Sequence, residues 1–343
     1  MSSRTVRRLA LASVVANSAI VVTGGAVRLT ASGLGCPTWP RCTDETFTPT
    51  AEFAIHGVIE FGNRLLTFVL LGVVVAVLIA VWRQQPRRPG MRRLAVLGVL
   101  GIPAQALLGG ITVLTGLNPW TVMGHFLVSM VLVWIAVVLH QRAREGDLEP
   151  RPLVALPLRR LGTALLVLIF ATLMVGTVVT GSGPHSGDPA AGRTGLDPSG
   201  MSQLHADLVF LLVGVTVAFW VALKATGAPR HSVRAMGVLL AVLLSQGVIG
   251  FAQYFTGLPV LLVGLHLIGA CLVQITAVQA VLALRDRGPL GAPAPTQPSS
   301  VTIAAAKRSA EPDDWPRNND GSVSSSSISS GVPSGPGTRS TRA

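Results

Sequence analysis

The sequence is short of charged residues. Asp, Glu, Lys and Arg make up 12% of its 343 residues, whereas hydrophobic residues make up 50% and the mean hydropathy is +0.58. Soluble domains usually carry about twice that share of charged residues. The shortage argues against a soluble fold, so apolar runs of nearly 20 residues are interpreted here as membrane spans.

Eight such runs predict an all-α integral membrane protein with eight transmembrane helices. The runs are Leu9 to Leu29, Phe53 to Val81, Leu94 to Thr115, Thr121 to Leu139, Leu161 to Gly181, Gln203 to Leu223, Ala235 to Thr256 and Leu258 to Leu284. The first run follows basic residues, so a cleaved signal peptide is the alternative. We interpret it as a retained span because it is longer than the apolar segment of a signal peptide.

Acidic residues are also few, 15 against 27 Lys and Arg, which gives a formal net charge of +12. The basic residues concentrate before the first span and after the second, fourth and sixth spans: Arg4, Arg7, Arg8, Arg83, Arg87, Arg88, Arg92, Arg93, Arg142, Arg144, Arg151, Arg159, Arg160, Lys224, Arg230 and Arg234. By the positive-inside rule these segments, and both termini, are predicted to be cytoplasmic in a cell-membrane protein. Topology therefore explains the charge better than a nucleic-acid partner does.

The C-terminal segment differs in composition from the rest. From residue 285 to residue 343 the chain is rich in Pro, Gly, Ser and Thr, including four consecutive serines at 324–327. Such a segment buries too little apolar surface to fold alone. It is predicted to be a disordered cytoplasmic tail.

Part of the membrane region is repeated. Residues 105–117, QALLGGITVLTGL, resemble residues 246–258, QGVIGFAQYFTGL. Both copies end in Thr-Gly-Leu, which predicts a tight turn before the next span. The chain therefore contains an internal repeat of helices.

The repeat places histidines at corresponding positions. His125 and His266 each follow the first Gln of a copy by 20 residues, while Asn63 and His205 precede it by 42 and 41 residues. Two imidazoles facing each other between helices can bind a haem iron axially, so haem b held by His205 and His266 is the preferred interpretation. Zinc is disfavoured because the second half offers no well-placed further ligands. Each histidine taken alone could instead form a helix-to-helix hydrogen bond.

The second span carries an unusual polar strip. His56, Glu60 and Asn63 are spaced i, i+4 and i+7, which places them on one helical face and predicts that they line one cavity. A carboxylate inside a membrane span is costly, so Glu60 is a functional candidate. A salt bridge from Glu60 to a neighbouring Arg is the structural alternative.

The chain has only three cysteines. Cys36 and Cys42 lie in the first outer loop, where an oxidising compartment and a short Pro-containing segment make a disulfide feasible. The pair could be structural or redox-active. Cys271 lies within the last span and is interpreted as a small buried apolar residue.

Together these motifs resemble the haem A synthase family, in an actinobacterial-like variant, over roughly residues 9–284. The resemblance rests on Val-Thr-Gly-Gly at 22–25 followed by Arg28, on Gly-Leu-Gly-Cys-Pro-Thr-Trp-Pro at 33–40, on Glu-Phe-Gly-Asn-Arg at 60–64, and on the repeated unit. It implies two pseudo-symmetric four-helix bundles. Residues 1–140 would receive the substrate haem and residues 141–284 would hold haem b.

The resemblance also implies roles for single residues. His205 and His266 would bind haem b, His125 would bind the iron of the substrate haem O, and Glu60 would act near the reacting methyl group. The cysteines at 36 and 42 match a pair in the family's outer loop.

This chain departs from the family pattern at Asn63. Family members usually show Glu-x-x-His-Arg where this chain has Glu-Phe-Gly-Asn-Arg. The substrate iron would then be bound by His125 alone, or His56 would reach in from the span that also carries Asn63. Asn63 and Arg64 complete the predicted substrate-binding set.

The implied reaction is oxidation of the C8 methyl group of haem O to a formyl group by successive hydroxylations. The expected partners are haem O, membrane lipid, an electron donor, haem O synthase and cytochrome oxidase assembly factors. A b-type electron-transfer cytochrome is the alternative, since it also uses two-His sites but does not need Glu60. A repeat-built transporter is a third possibility, disfavoured because the spans contain few acidic residues.

Overall fold

The computed structural model describes residues 2–290, and within them all eight predicted spans are long helices. They are α1 (Ser3–Leu29), α2 (Ala54–Trp82), α3 (Pro89–Leu114), α4 (Pro119–Arg142), α5 (Leu156–Ser182), α6 (Pro198–Ala225), α7 (Arg230–Phe255) and α8 (Val260–Leu282). Each is long and apolar enough to cross a membrane. The predicted all-α fold with eight spans is confirmed.

Several helices are longer than their apolar runs. The first begins at Ser3 rather than Leu9, and the third begins at Pro89 rather than Leu94. An apolar run marks only the part of a helix that crosses hydrocarbon, whereas Arg-rich turns continue the same backbone towards the headgroups. The additional turns therefore lie where the basic residues cluster.

Local sequence signals fix where two site-bearing helices begin. The Asn118 side chain accepts a hydrogen bond from Trp120 N (3.0 Å) at the start of α4, and Asp197 accepts one from Gly200 N (2.6 Å) at the start of α6. A proline follows each cap, at the first helical position, where its missing N–H costs nothing. His125 and His205 thus lie about two turns inside helices with well-defined starts.

The repeated Thr-Gly-Leu motif forms the same turn twice. Gly116 and Leu117 have φ angles of 60° and 57°, and Gly257 and Leu258 have φ angles of 78° and 61°. The leucine N–H closes each turn, on Thr112 O (2.8 Å) in the first copy and on Gln253 O (2.7 Å) in the second. The turns predicted from the repeat are confirmed, and they make α3–α4 and α7–α8 equivalent helix pairs.

The helices pack in two rings of four. In the first half α1 and α3 each contact both α2 and α4, and in the second half α5 and α7 each contact both α6 and α8. The even-numbered helices of each half therefore lie diagonally opposite each other. The two halves meet through α4–α8, α1–α8 and α4–α5.

A shared core crosses the boundary between the halves. It contains Val21 of α1, Met130 and Val133 of α4, and Cys271 and Val278 of α8. Cys271 is a free cysteine with 2% of its surface exposed, as predicted for a buried apolar residue. The described residues 2–290 all belong to one compact unit, so the division into bundles at residues 140 and 141 stays a prediction about pseudo-symmetry.

One end of the helices, called here the arginine end, carries a charged cluster. Arg88 Nε lies 2.7 Å from Asp147 Oδ1, and the Glu145 carboxylate is approached by Arg142 (3.3 Å) and Arg285 (3.6 Å). Beside the cluster, β1 (Arg151–Pro152) pairs antiparallel with β2 (Arg285–Asp286).

The chain therefore still forms a β-strand at Arg285 and Asp286, where composition predicts that the disordered tail begins. Composition alone does not reveal the distant acidic partners that hold Arg285. The rest of the predicted tail, residues 291–343, lies outside the described residues.

Candidate functional site

His205 of α6 and His266 of α8 face each other across the second ring of helices. Their ring centres are 6.4 Å apart and the ring planes meet at 75°. A metal–imidazole bond is about 2 Å long, so two rings that share one metal ion have centres roughly 6 Å apart. The spacing fits axial ligation of a single iron by both histidines.

Hydrogen bonds from the Nδ1 atoms do not account for the positions of the three membrane histidines. The Nδ1 atoms of His125, His205 and His266 are buried and form no hydrogen bond within the described part of the chain. Buried polar atoms are usually paired, so the three unpaired Nδ1 atoms favour a role beyond a helix-to-helix hydrogen bond. The Nδ1 atom of His140, near the arginine end of α4, is unpaired as well, so this observation supports the haem interpretation only together with the spacing of the rings.

The histidines do not belong to a polydentate protein site. Among residues 2–290, no group of three or more His, Cys, Asp or Glu side chains could hold a metal ion. Two surface grooves, one on α5 and one between α6 and α7, have none of the three histidines in their walls. The donor set therefore fits a metal that brings most of its own ligands, as haem iron does.

Each histidine lies against a glycine of the preceding helix. A Cβ added to Gly176, Gly109 or Gly250 would lie 3.0 Å, 3.3 Å or 3.5 Å from Cε1 of His205, His125 or His266 respectively. The glycines of α3 and α7 occupy the same position in the repeat, four residues after its first Gln. The absence of a side chain at these positions leaves room for the rings.

Asn63 occupies the fourth equivalent position. On α2 it faces Gly24 of α1, whose added Cβ would lie 3.9 Å from Asn63 Nδ2. Its Oδ1 accepts a hydrogen bond of 2.8 Å from Thr23 Oγ1. The predicted equivalence of Asn63 with His205 therefore has a structural counterpart, whereas the role of Thr23 was missed because α1 and α2 are far apart in sequence.

The first glutamine of each repeat copy contacts the helix that carries the histidine. Gln105 Nε2 donates to His125 O (3.0 Å) and also contacts Ser129 Oγ. In the second copy Gln246 packs against Gly269, where a Cβ would overlap it. In both copies the glutamine thus contacts the helix that carries the histidine.

Glu60 is buried, with 5% of its surface exposed, and both of its oxygens are engaged. Oε2 accepts from Cys36 N (2.7 Å), and Oε1 accepts from Arg64 Nη2 (2.5 Å) and Nε (3.1 Å). Arg64 also donates to the carbonyls of Cys36, Thr38 and Arg41 at 2.9–3.1 Å. The salt bridge considered as the alternative role of Glu60 is therefore present, and it holds the loop.

The loop is closed by a disulfide between Cys36 and Cys42, both fully buried. Between them, Trp39 packs its ring onto Gly110 of α3, where an added Cβ would lie 2.5 Å from Trp39 Cδ2. The loop is thus fixed to both α2 and α3. We call the end of the helices that it covers the disulfide end.

His56 lies above this arrangement, at the start of α2. It is exposed, and its Nδ1 lies 2.9 Å from Ser32 Oγ. The predicted strip of His56, Glu60 and Asn63 does face one segment, residues 23–36, but each side chain binds a different partner there. The expectation that they line one common cavity finds no support in these contacts.

The even-numbered helices all begin at the disulfide end, because successive helices alternate in direction. Asn63, His125, His205 and His266 therefore lie in the half of the helices nearer that end. The structure brings together one pair of imidazoles in the second ring, and the repeat places one imidazole and one amide at the corresponding positions of the first.

Comparison with known proteins gives one family. The profile of the COX15-CtaA family, described as a cytochrome oxidase assembly protein, matches residues 7–184, which include Glu60, Asn63 and His125. His205 and His266 lie outside that match, so their interpretation depends on the repeat and on their geometry.

Curated relatives are named heme A synthase. A protein of Halalkalibacterium halodurans is 34% identical over 134 residues, covering 39% of this chain and 44% of the relative. A protein of Listeria monocytogenes is 32% identical over 158 residues, covering 44% of this chain and 49% of the relative. The matches span slightly less than half the length of these relatives.

Proposed function

This chain belongs to the COX15-CtaA family of cytochrome oxidase assembly proteins, and we propose that it is a haem A synthase. In the proposed reaction O2 and two electrons from a donor hydroxylate the C8 methyl group of haem O in each of two turns, with the second oxygen atom of each O2 released as water. The resulting hydrated aldehyde then loses water to leave the formyl group of haem A. The observation that carries the proposal is the 6.4 Å separation of His205 and His266 in one half, together with His125 at the equivalent place in the other.

The second half is the proposed site of haem b. His205 and His266 would hold its iron through their imidazole nitrogens, and Gly176 and Gly250 leave space beside their rings. When bound, haem b supplies a one-electron redox centre. The protein supplies ligation, orientation and an apolar surround that limits side reactions.

The first half is the proposed site of the substrate, haem O. His125 would bind the substrate iron from α4, and Asn63 would lie on the opposite side, on α2. The contacts of Glu60 and Arg64 suggest that they act by holding the disulfide loop over this half. A dry chamber strengthens electrostatic interactions and excludes competing hydrolysis.

A direct catalytic role for Glu60 near the reacting methyl group stays a prediction. Both of its oxygens already bind donors, so the contacts favour a positioning role. His56 is the weaker candidate for a substrate contact, because it is exposed and bonded to Ser32.

The proposed location is the cell membrane, with both termini and the arginine end in the cytoplasm. The disulfide end would then face the oxidising side, as a disulfide between the loop cysteines requires. Haem O synthase and cytochrome oxidase assembly factors are the expected partners in supply of substrate and use of product.

The test is conversion of haem O by the purified protein. Extracted pigments are separated before and after incubation with haem O, a reductant and oxygen, and haem A is quantified beside haem b. A haem A synthase contains haem b and accumulates haem A, and conversion is lost in His125→Ala. A b-type cytochrome, the second candidate suggested by the histidine pair, would contain haem b and leave haem O unchanged.

A further inference from the structure

Four equivalent positions on the even-numbered helices each face a glycine of the preceding helix. Three of them are histidines and the fourth is Asn63. His205 and His266 meet across the second ring of helices. Asn63 on α2 and His125 on α4 occupy the corresponding positions of the first ring, each beside a glycine of the preceding helix. An asparagine side chain is shorter than a histidine, so it ends nearer its own helix. An asparagine at this position therefore takes up less of the space beside α2 than an imidazole would.

The orientation of the Asn63 amide is set by Thr23. The Thr23 hydroxyl has one hydrogen and two nearby acceptors, Asn63 Oδ1 at 2.8 Å and Ile20 O at 3.2 Å. Both contacts have hydrogen-bond geometry, and the shorter one is to Asn63 Oδ1. Because the carbonyl oxygen is engaged by Thr23, the Nδ2–H₂ group is the part of the amide left to bind a ligand.

Three other polar side chains of α2, those of His56, Glu60 and Arg64, are engaged elsewhere. His56 is seven residues away, about 10 Å along α2, and is held by Ser32. Glu60 and Arg64 are occupied by each other and by the loop backbone. Asn63 is the polar group of α2 placed level with the histidines.

We propose that Asn63 donates a hydrogen bond from Nδ2 to a small ligand at the axial position of the substrate iron opposite His125, with Thr23 as the positioning residue. The inference rests on the proposed function. Hydrogen-bond donors on the distal side of a haem decide between binding, activation and electron transfer. A preoriented donor in a dry site needs no reorganisation when the ligand arrives.

Carbon monoxide is the probe, bound to reduced protein loaded with haem O. A hydrogen-bond donor near the bound CO lowers its stretching frequency in the infrared, whereas loss of the donor raises it. The haem b iron, with both axial positions filled, does not bind CO and supplies a separate low-spin spectrum that reports correct folding in each variant.

The variants make distinct predictions. Asn63→Leu, of similar size, shifts the CO band to higher frequency; Thr23→Val shifts or splits it, and Thr23→Ser restores it. Asn63→His completes a second imidazole pair, converts the substrate haem to a low-spin spectrum and abolishes CO binding. Thr276→Val, which removes an α8 hydroxyl bonded only to its own helix, leaves the band unchanged.

An unchanged CO band in Asn63→Leu, with the haem b spectrum intact, overturns the inference. So does CO binding by Asn63→His equal to that of the unaltered protein. These outcomes are independent of turnover: a protein that binds haem O with the predicted CO shifts but forms no haem A would refute the proposed function and leave the ligand geometry standing.

Discussion

Glu60 and Arg64, one turn apart on α2, form an ion pair whose remaining hydrogen bonds go to the backbone of the disulfide loop. Cys36 is held at both of its backbone polar groups, with its N–H on Glu60 and its carbonyl on Arg64. A buried carboxylate is stable only when paired and hydrogen-bonded, and this pair meets both conditions. The relationship makes the loop and α2 one structural unit.

Glu60→Ala is expected to free the disulfide loop. The substitution leaves the Arg64 guanidinium without its counter-ion and Cys36 N without an acceptor, at a cost of about 3–5 kcal/mol. The expected result is faster reduction of the disulfide by added thiol, measured by alkylation of the released cysteines, with the haem b spectrum preserved. If haem A formation is lost while the disulfide stays as protected as before, Glu60 acts at the reacting group and not through the loop.

Replacement of either His205 or His266 by Ala is expected to remove most of the low-spin haem b spectrum. Each is one of two rings placed 6.4 Å apart, and among residues 2–290 neither belongs to a group of three or more His, Cys, Asp or Glu side chains that could hold a metal ion. The measurement is the absorption spectrum of purified protein per mole of chain. His231→Ala, at the arginine-end start of α7, is the matched control; normal spectra in both site variants would contradict the assignment.

Glycine substitutions should distinguish the tightly packed position beside His205 from the more open position beside Asn63. Gly176→Ala places a methyl group 3.0 Å from the His205 ring, and such overpacking costs about 1–3 kcal/mol. Gly24→Ala meets Asn63 at an ordinary 3.9 Å, so the gain of about 1 kcal/mol in helix propensity is not opposed. Haem b content should therefore fall in Gly176→Ala and stay normal in Gly24→Ala; equal effects would show that the close approach to His205 is unimportant.

Much of this arrangement follows from local sequence. Apolar runs predict the eight helices. The repeat, which runs from Gln through Thr-Gly-Leu to His, predicts the equivalent turns and the equivalent positions of His125 and His266 in the two halves. The missed contacts join residues far apart in the chain: Thr23 with Asn63, Cys36 N with Glu60, and Arg285 with Glu145. Periodicity reports which face a residue lies on but not which distant group meets that face.

Cys36 and Cys42 are expected to be bonded to each other in protein isolated without reductant. Both are fully buried and bonded in the structure, so a thiol reagent should label neither in native membranes. Substitution of either by Ser should lower activity or haem content without unfolding the protein, because the eight helices also pack directly against one another. Labelling of both cysteines before reduction would contradict this expectation. In denatured protein the free Cys271 serves as the internal control, because its labelling does not depend on prior reduction.

His125 and His56 should differ in their importance for haem A formation. His125 faces Gly109 in the ring of helices. His56 is exposed, is bonded to Ser32, and lies about two turns nearer the disulfide end than Asn63 on the same helix. We expect His125→Ala to abolish conversion of haem O and His56→Ala to reduce it only partly. Ser32→Ala should resemble His56→Ala, and the double variant should be no worse than either single one, because both remove the same contact. If His56→Ala is as inactive as His125→Ala while stably expressed and still loaded with haem b, His56 binds the substrate iron and the axial position opposite His125 is not open.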